Sequence, residues 1–419
     1  MLAGAPGLNA EKFYELVLDN IDDPYPTYRQ FRDADGLHRI MRPGTGREPE
    51  WLVMRYDAAA TVLTGRGFGR RAAVPGSLPA AGAATIVGRE HPVLSTLVEN
   101  WLVFMDPPRH TMVRSIVSDC LAKRVRAGFR EKTEKIVRDL VARISAQLSI
   151  EFVSEFATVV PMLVNLETLG VPRADWRWMC ERTTALQEGS SFRPGNRKNR
   201  LATAEDAALT LDEYFRAALS ERRRIPREDL MSDLLAAEWG DCPVDDDLLV
   251  GTCVHILAAG NETMRNALSK IVLLLLRNKE ILNILLIEPA LAPDVIDELV
   301  RLDPPAQMVT RWAYRDERIA GHDVSRGDKI TIVLGSANRD PARFCEPDTL
   351  RLDRPRRQHG GFGMGIHYCL GSALARVETE VSLDAMLTLL PELRVASDPV
   401  CYGKDLIFHG PQELRLVRT

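Results

Sequence analysis

The chain has 419 residues, 45% of them hydrophobic and 27% charged, with a formal net charge of -4. That balance is ordinary for a globular protein, and it excludes a global pull toward nucleic acid or an anionic membrane surface. The length would serve one large domain or several smaller ones. No repeat or low-complexity block divides it, so residues 1–419 are read as a single domain.

No run approaches the ~18 apolar residues of a membrane span; the longest is Ile271 to Leu276. The N-terminus lacks a basic segment followed by an apolar one, so no signal peptide is read and a cytoplasmic protein is expected. Seven scattered cysteines without a C-x-x-C pair argue against a disulfide framework and a zinc ribbon.

In chain order, Glu50 to Tyr56 (E-W-L-V-M-R-Y) reads as a strand leading into a helix. Apolar residues at i, i+3, i+4 and i+7 predict helices over Ala122–Leu148, Ala204–Arg222, Asp245–Leu276, Ala292–Leu302 and Leu370–Leu390. The polar stretch Gln187–Asn199 reads as a surface loop, and Asp316–Leu334 as strand, turn and strand with the turn at Ser325–Asp328. The expected class is mainly α with small β-sheets.

The stretch G-F-G-M-G-I-H-Y-C-L-G, Gly361 to Gly371, fails as a dinucleotide fingerprint because the third glycine position is Tyr368, and no Walker pattern is present. Its glycines permit backbone angles closed to other residues and let the main chain approach a flat ligand. Cys369 stands just before a predicted helix, where a thiolate is stabilised by the helix N-terminus. One thiolate cannot close a zinc or iron-sulfur site, whereas a haem brings its other ligands itself. An inert cysteine at a tight turn stays open on these residues alone.

Phe362 to Gly371, F-G-M-G-I-H-Y-C-L-G, resembles the F-G-x-G-x-H-x-C-x-G signature of bacterial cytochrome P450 enzymes. The resemblance runs from D-P-Y-P-T-Y (Asp23 to Tyr28) to the C-terminal strands. It implies the P450 fold with haem b buried between distal and proximal helices, and Cys369 as the axial ligand of its iron. Phe362 would pack near the sulfur and His367 would lie at a propionate.

Other landmarks follow in order. Glu298 and Arg301 form E-x-x-R, one helical face by spacing, which taken alone is usually a solvated surface pair, whereas the resemblance implies an ion pair that locks the proximal core. D-P-P-R-H-T-M-V-R (Asp106 to Arg114) opens a helix and presents His110 and Arg114 at i, i+4; the resemblance makes these propionate contacts, with Arg311 and His359 as two more. A-A-G-N-E-T (Ala258 to Thr263) lies mid-helix. There the resemblance implies that Gly260 leaves room for dioxygen, while Glu262 and Thr263 relay the protons that oxygen activation consumes. Met264 and the pair Gly360-Gly361 depart from the family's usual residues.

Asn100, His255, Ala259 and Val309 are the candidate substrate contacts; His255, Ala259 and Thr263 share a helical face, although a satisfied core histidine is the plain alternative for His255. Strings such as V-E-N-W-L-V-F-M-D-P-P and V-T-R-W-A-Y are similar to the P450 enzymes of indolocarbazole biosynthesis, which implies an aromatic or bis-indole substrate in secondary metabolism, hydroxylated or coupled. N-E-T-M-R-N (Asn261 to Asn266) instead resembles steroid and fatty-acid hydroxylases, and terpenoids and macrolides stay open. Electrons would come from a ferredoxin and its reductase, for which Lys123, Arg124, Arg126, Arg356 and Arg357 are a candidate docking face, with a solvated basic surface as the alternative. The readings from other classes are a non-catalytic haem- or carrier-protein-binding module and a peroxide-driven enzyme.

Overall fold

The computed structural model describes residues 9–41, 49–72, 87, 90–190, 197–355 and 358–418. They fall into two compact units, one of Met1–Ala80, Ala290–Cys369 and Ser397–Gln412, the other of Ala81–Pro289, Leu370–Ala396 and Glu413–Thr419. Helices dominate and the sheets are small, as the periodicity predicts.

The first unit carries a five-stranded sheet in the order Leu37–Met41, Pro49–Val53, Lys329–Val333, Met308–Ala313, Phe68–Gly69. Pro49–Val53 and Lys329–Val333 run parallel and the other neighbours antiparallel. Ile330 and Ile332, with Val53 and Ala313, bury one face against Val62 and Leu63 of the helix Tyr56–Thr64. The predicted turn Ser325–Asp328 is present, with Gly327 at φ 93°. The segment before it is not one strand: Glu317–Ile319 and His322–Val324 form their own hairpin, turned by Ala320 (φ 49°) and Gly321 (φ 90°). Isoleucine and valine on both sides hid this break from the sequence pattern.

The second unit is helical around a large apolar cluster. Its longest helix, Asp246–Arg277, starts where Asp245 caps the Leu248 N–H at 2.8 Å; Asp246 and Asp247 in the first turn and Arg277 in the last match the helix dipole. The predicted helix Ala122–Leu148 is instead two, Arg109–Arg126 and Phe129–Ser145, because Gly128 adopts the left-handed conformation (φ 92°) that ends the first. A three-stranded sheet in the order Ser149–Glu151, Arg415–Arg418, Leu393–Val395 completes the unit. Helices Trp176–Ser190 and Arg197–Arg224 extend into the stretch read as a loop, and residues 191–196 lie outside the described residues. No described helix is long and apolar enough to cross a membrane.

Candidate functional site

In the first unit, the helix Ala292–Leu302 carries Glu298 and Arg301 inward. Arg301 Nε and Nη2 each donate to the carboxylate of Glu298 at 2.7 Å, with the arginine 1% and the glutamate 5% exposed. Arg301 also donates to the carbonyls of Asn338 and Pro347 at 2.8 Å, and Arg354 Nε adds a bond to Glu298 at 2.9 Å. The one-face expectation holds, but the pair is buried rather than solvated, so removing either partner strands a charge. A cavity of about 100 Å³ opens beside it, lined by Asp297, Arg343, Arg351 and His359 among others.

The glycine loop of the same unit accounts for its amides one by one. Gly360 N–H donates to Asn338 Oδ1 (2.7 Å), Gly361 N–H to His359 Nδ1 (2.9 Å), Gly363 N–H to the Gly360 carbonyl (2.8 Å) and Cys369 N–H to the Phe362 carbonyl (2.8 Å). Gly363 (φ 72°) and Gly365 (φ 68°) are left-handed, and a Cβ at Gly365 would stand 2.2 Å from the Leu63 carbonyl oxygen. Gly361 is not left-handed; it serves close approach instead. Phe362 faces His359 and Tyr368 at centroid distances of 6.2 and 6.3 Å, and His367 ends the short helix Gly365–His367. Cys369 is half-buried and, like the other six cysteines, forms no disulfide.

Arg311 and Val309 lie on the strand Met308–Ala313. Arg311 is buried and donates to the Thr310 carbonyl at 2.8 Å; Arg70, which the motifs did not single out, donates to the same oxygen at 2.5 Å. Val309 pairs with Ile332 and packs, half-buried, on the sheet's apolar cluster. His359 is buried with Nε2 3.3 Å from Asp297 Oδ1.

The second unit holds the remaining candidates. Pro108 is the cap residue of the helix Arg109–Arg126; His110 on its first turn is 1% exposed and Arg114 half-buried. Asn100 ends the helix Pro92–Glu99: its amide nitrogen donates to the Thr96 carbonyl (2.9 Å) and its oxygen accepts from Arg109 (2.5 Å), so both ends already tie helix termini together. Of the expected basic face, Lys123 and Arg124 both pair with Asp233 at 2.5 Å, Arg126 is exposed, and Arg356 and Arg357 lie outside the described residues.

On the long helix Asp246–Arg277, Thr263 donates its hydroxyl to the Ala259 carbonyl at 2.8 Å, and buried Glu262 pairs with Arg265 at 3.1 Å. Ala259 is exposed. The room left by Gly260 is taken by Asn165, whose amide nitrogen would stand 2.6 Å from an added Cβ, so this glycine has a packing reason of its own. Gln187 donates to the Ala258 carbonyl (2.6 Å) and accepts from Asn261 (3.2 Å), bracing the same turn.

His255 stacks on Trp101 at 5.4 Å and 15°, and Trp101 on Phe104 at 6.3 Å and 15°. Burial lowers the His255 pKa from 6.5 to about 4, so the ring is neutral. In the helix Ser372–Met386, Glu378 is buried with Oε1 unpartnered, and desolvation raises its pKa from 4.5 to about 8. Trp101, Arg70 and Glu378 follow no sequence motif, since long-range packing alone defines their surroundings.

The Cytochrome P450 family model matches residues 290–391. Pentalenic acid synthase of Streptomyces avermitilis is 33% identical over 90% of this chain and 89% of its own length, and the mycinamicin IV hydroxylase/epoxidase of Micromonospora griseorubida 30% over 93% and 94%. The chain belongs to the cytochrome P450 family. The polyketide biosynthesis cytochrome P450 PksS of Bacillus subtilis is 29% identical over 94% and 95%, and its solved structure gives a TM-score of 0.84 at 27% identity over 96% of this chain and 98% of that one. P450BioI, solved in complex with a hexadec-9Z-enoic acid ligated acyl carrier protein, gives 0.85 at 27% identity over 97% and 100%.

As a P450, this chain is an oxygen-dependent monooxygenase that takes haem as its cofactor. The residues present fit that group. No three His, Cys, Asp or Glu side chains converge as a metal site among the described residues, and a single thiol on a glycine loop suits iron whose other ligands come with the macrocycle. When bound, haem supplies oxygen activation.

Proposed function

We propose that this P450 oxidises a small, largely apolar or aromatic organic molecule in bacterial secondary metabolism, by hydroxylation or oxidative C–C coupling, as a single domain. Cys369 would supply the thiolate that holds the haem iron, with Phe362 packed near its sulfur. His110, Arg114, Arg311 and His367 hold the haem carboxylates; His359 belongs to the same set by resemblance, although its ring already has Asp297 and Gly361 as neighbours. Thr263 and Glu262 move protons, drawing on a buried acid and an adjacent alcohol.

The substrate reading is carried by one observation: His255, on the face of the long helix that also presents Ala259 and Thr263, is neutral and stacked on Trp101. A neutral aromatic row favours flat or apolar surfaces over cations and anions. Asn100 and Val309 complete the proposed contacts, although the Asn100 amide already serves two helix termini. None of the relatives named above carries a bis-indole in its name, so that narrower expectation rests on the sequence strings alone.

A second reading has the substrate presented on an acyl carrier protein, favoured by the complex in which P450BioI was solved. A ferredoxin and its reductase are the proposed electron donors. Titrating the haem-loaded protein with a bis-indole dicarboxylate, a macrolide, a steroid, a free fatty acid and an acyl carrier protein conjugate separates these. A spin-state shift with an aromatic or free apolar ligand supports the first reading, and a shift with the conjugate alone supports the second.

A further inference from the structure

The residues leading into the cysteine loop form a device that the motif does not describe. His359 Nδ1 accepts a 2.9 Å hydrogen bond from its own chain two residues on, the Gly361 N–H. A ring nitrogen that accepts cannot carry the proton, which leaves Nε2 as the N–H of the ring. Nε2 lies 3.3 Å from Oδ1 of buried Asp297, on the helix that also bears Glu298 and Arg301; the contact lacks hydrogen-bond geometry, but the nearby carboxylate favours the proton on that edge of the ring. His359 does here what asparagine or aspartate does in an Asx turn, with its far nitrogen facing a helix carboxylate.

The turn needs glycine at 361, where a Cβ would stand 2.8 Å from His359 Nδ1 and 2.7 Å from Val300 Cγ1. The preceding amide, Gly360 N–H, is held by Asn338, whose carbonyl also receives Arg301. Two successive amides are therefore held by side chains, Gly360 through Asn338, whose carbonyl receives Arg301, and Gly361 through the His359 ring. The next residue is Phe362, whose carbonyl receives the Cys369 N–H at 2.8 Å. The crowding at Gly361 gives that glycine a structural reason of its own.

We propose that His359 is a positioning residue for Cys369. Packed with Nε2 toward Asp297, it fixes the Gly361 amide through Nδ1, and with it the Phe362 carbonyl that orients the Cys369 backbone. The inference rests on Cys369 being the axial thiolate. Without His359 the loop gains freedom, and the sulfur is lost more readily as a thiolate ligand.

The test is the rate at which the reduced carbon-monoxide complex of the full-length haem protein passes from its thiolate band to its thiol band. His359→Phe keeps the ring's bulk and removes the acceptor; His359→Asn places an amide oxygen near the Nδ1 position; His359→Gln places its amide at the Nε2 end instead. The expected result is about tenfold faster conversion in His359→Phe and His359→Gln, with His359→Asn close to wild type, as second-shell losses of 10–100-fold indicate. Wild-type rates in both His359→Phe and His359→Gln overturn the proposal, as does a fast His359→Asn. If His359→Phe does not accumulate with haem, the Asn and Gln pair decides by the same outcomes. A wild-type protein with no thiolate band overturns the Cys369 assignment itself, which separates the two failures.

Discussion

The Thr263 hydroxyl donates to the Ala259 carbonyl one turn back, at 2.8 Å, and so is stored within its own helix. Glu262 beside it is buried against Arg265. Both are held by local contacts on their own helix, and in the proposed relay they would exchange these partners during turnover. Thr263→Ala is expected to lower product formation about a hundredfold, the lower end of general acid–base contributions, while oxygen consumption persists. The ratio of product to oxygen consumed, measured with an unchanged carbon-monoxide band, checks this.

The buried Glu298–Arg301 pair carries a stability prediction. Arg301→Leu leaves the Glu298 carboxylate with Arg354 alone among side chains and strips bonds from the Asn338 and Pro347 carbonyls. A loss of roughly 3–5 kcal/mol is expected, read as a lower denaturant midpoint and reduced haem content at equal protein concentration.

His255 gives a pH window at the acidic end. Its folded pKa of about 4 lies below the ordinary 6.5, so the unfolded chain binds the proton more tightly. Its contribution to stability is fully present above about 6.5 and lost as the pH falls to about 4. His255→Phe, which keeps an aromatic surface against Trp101, is expected to flatten the dependence of the denaturant midpoint over that interval.

Glu378 acts in the opposite sense. Its folded pKa is raised to about 8 from 4.5, so the carboxyl is held neutral and its contribution is fully present below about 4.5 and lost as the pH rises through 8. Glu378→Gln, a neutral side chain of the same shape, is expected to stabilise the protein relative to wild type at pH 8 and to match it near pH 4.5. Equal stabilities at both pH values would contradict this.

What could be read from the sequence followed the range of the interactions involved. The helices Ala292–Leu302 and Asp246–Arg277 declare themselves through apolar periodicity, and Cys369 through a contiguous loop. The break at Gly128 and the hairpin at Ala320-Gly321 did not, because a single left-handed residue leaves the surrounding apolar pattern intact. The Trp101–His255 stack and the His359–Asp297 contact join residues far apart in the chain, and no local spacing encodes them. Gly260 shows the converse: its motif points to function, while its immediate neighbour, Asn165, gives it a packing reason too.

The most direct test of Cys369 as the haem ligand is the reduced carbon-monoxide spectrum of freshly purified protein beside that of Cys369→Ser. A band at the thiolate position in wild type that is absent in Cys369→Ser, with haem still bound, is the predicted result. A wild-type band at the thiol or imidazole position, or a thiolate band that survives Cys369→Ser, would contradict the assignment.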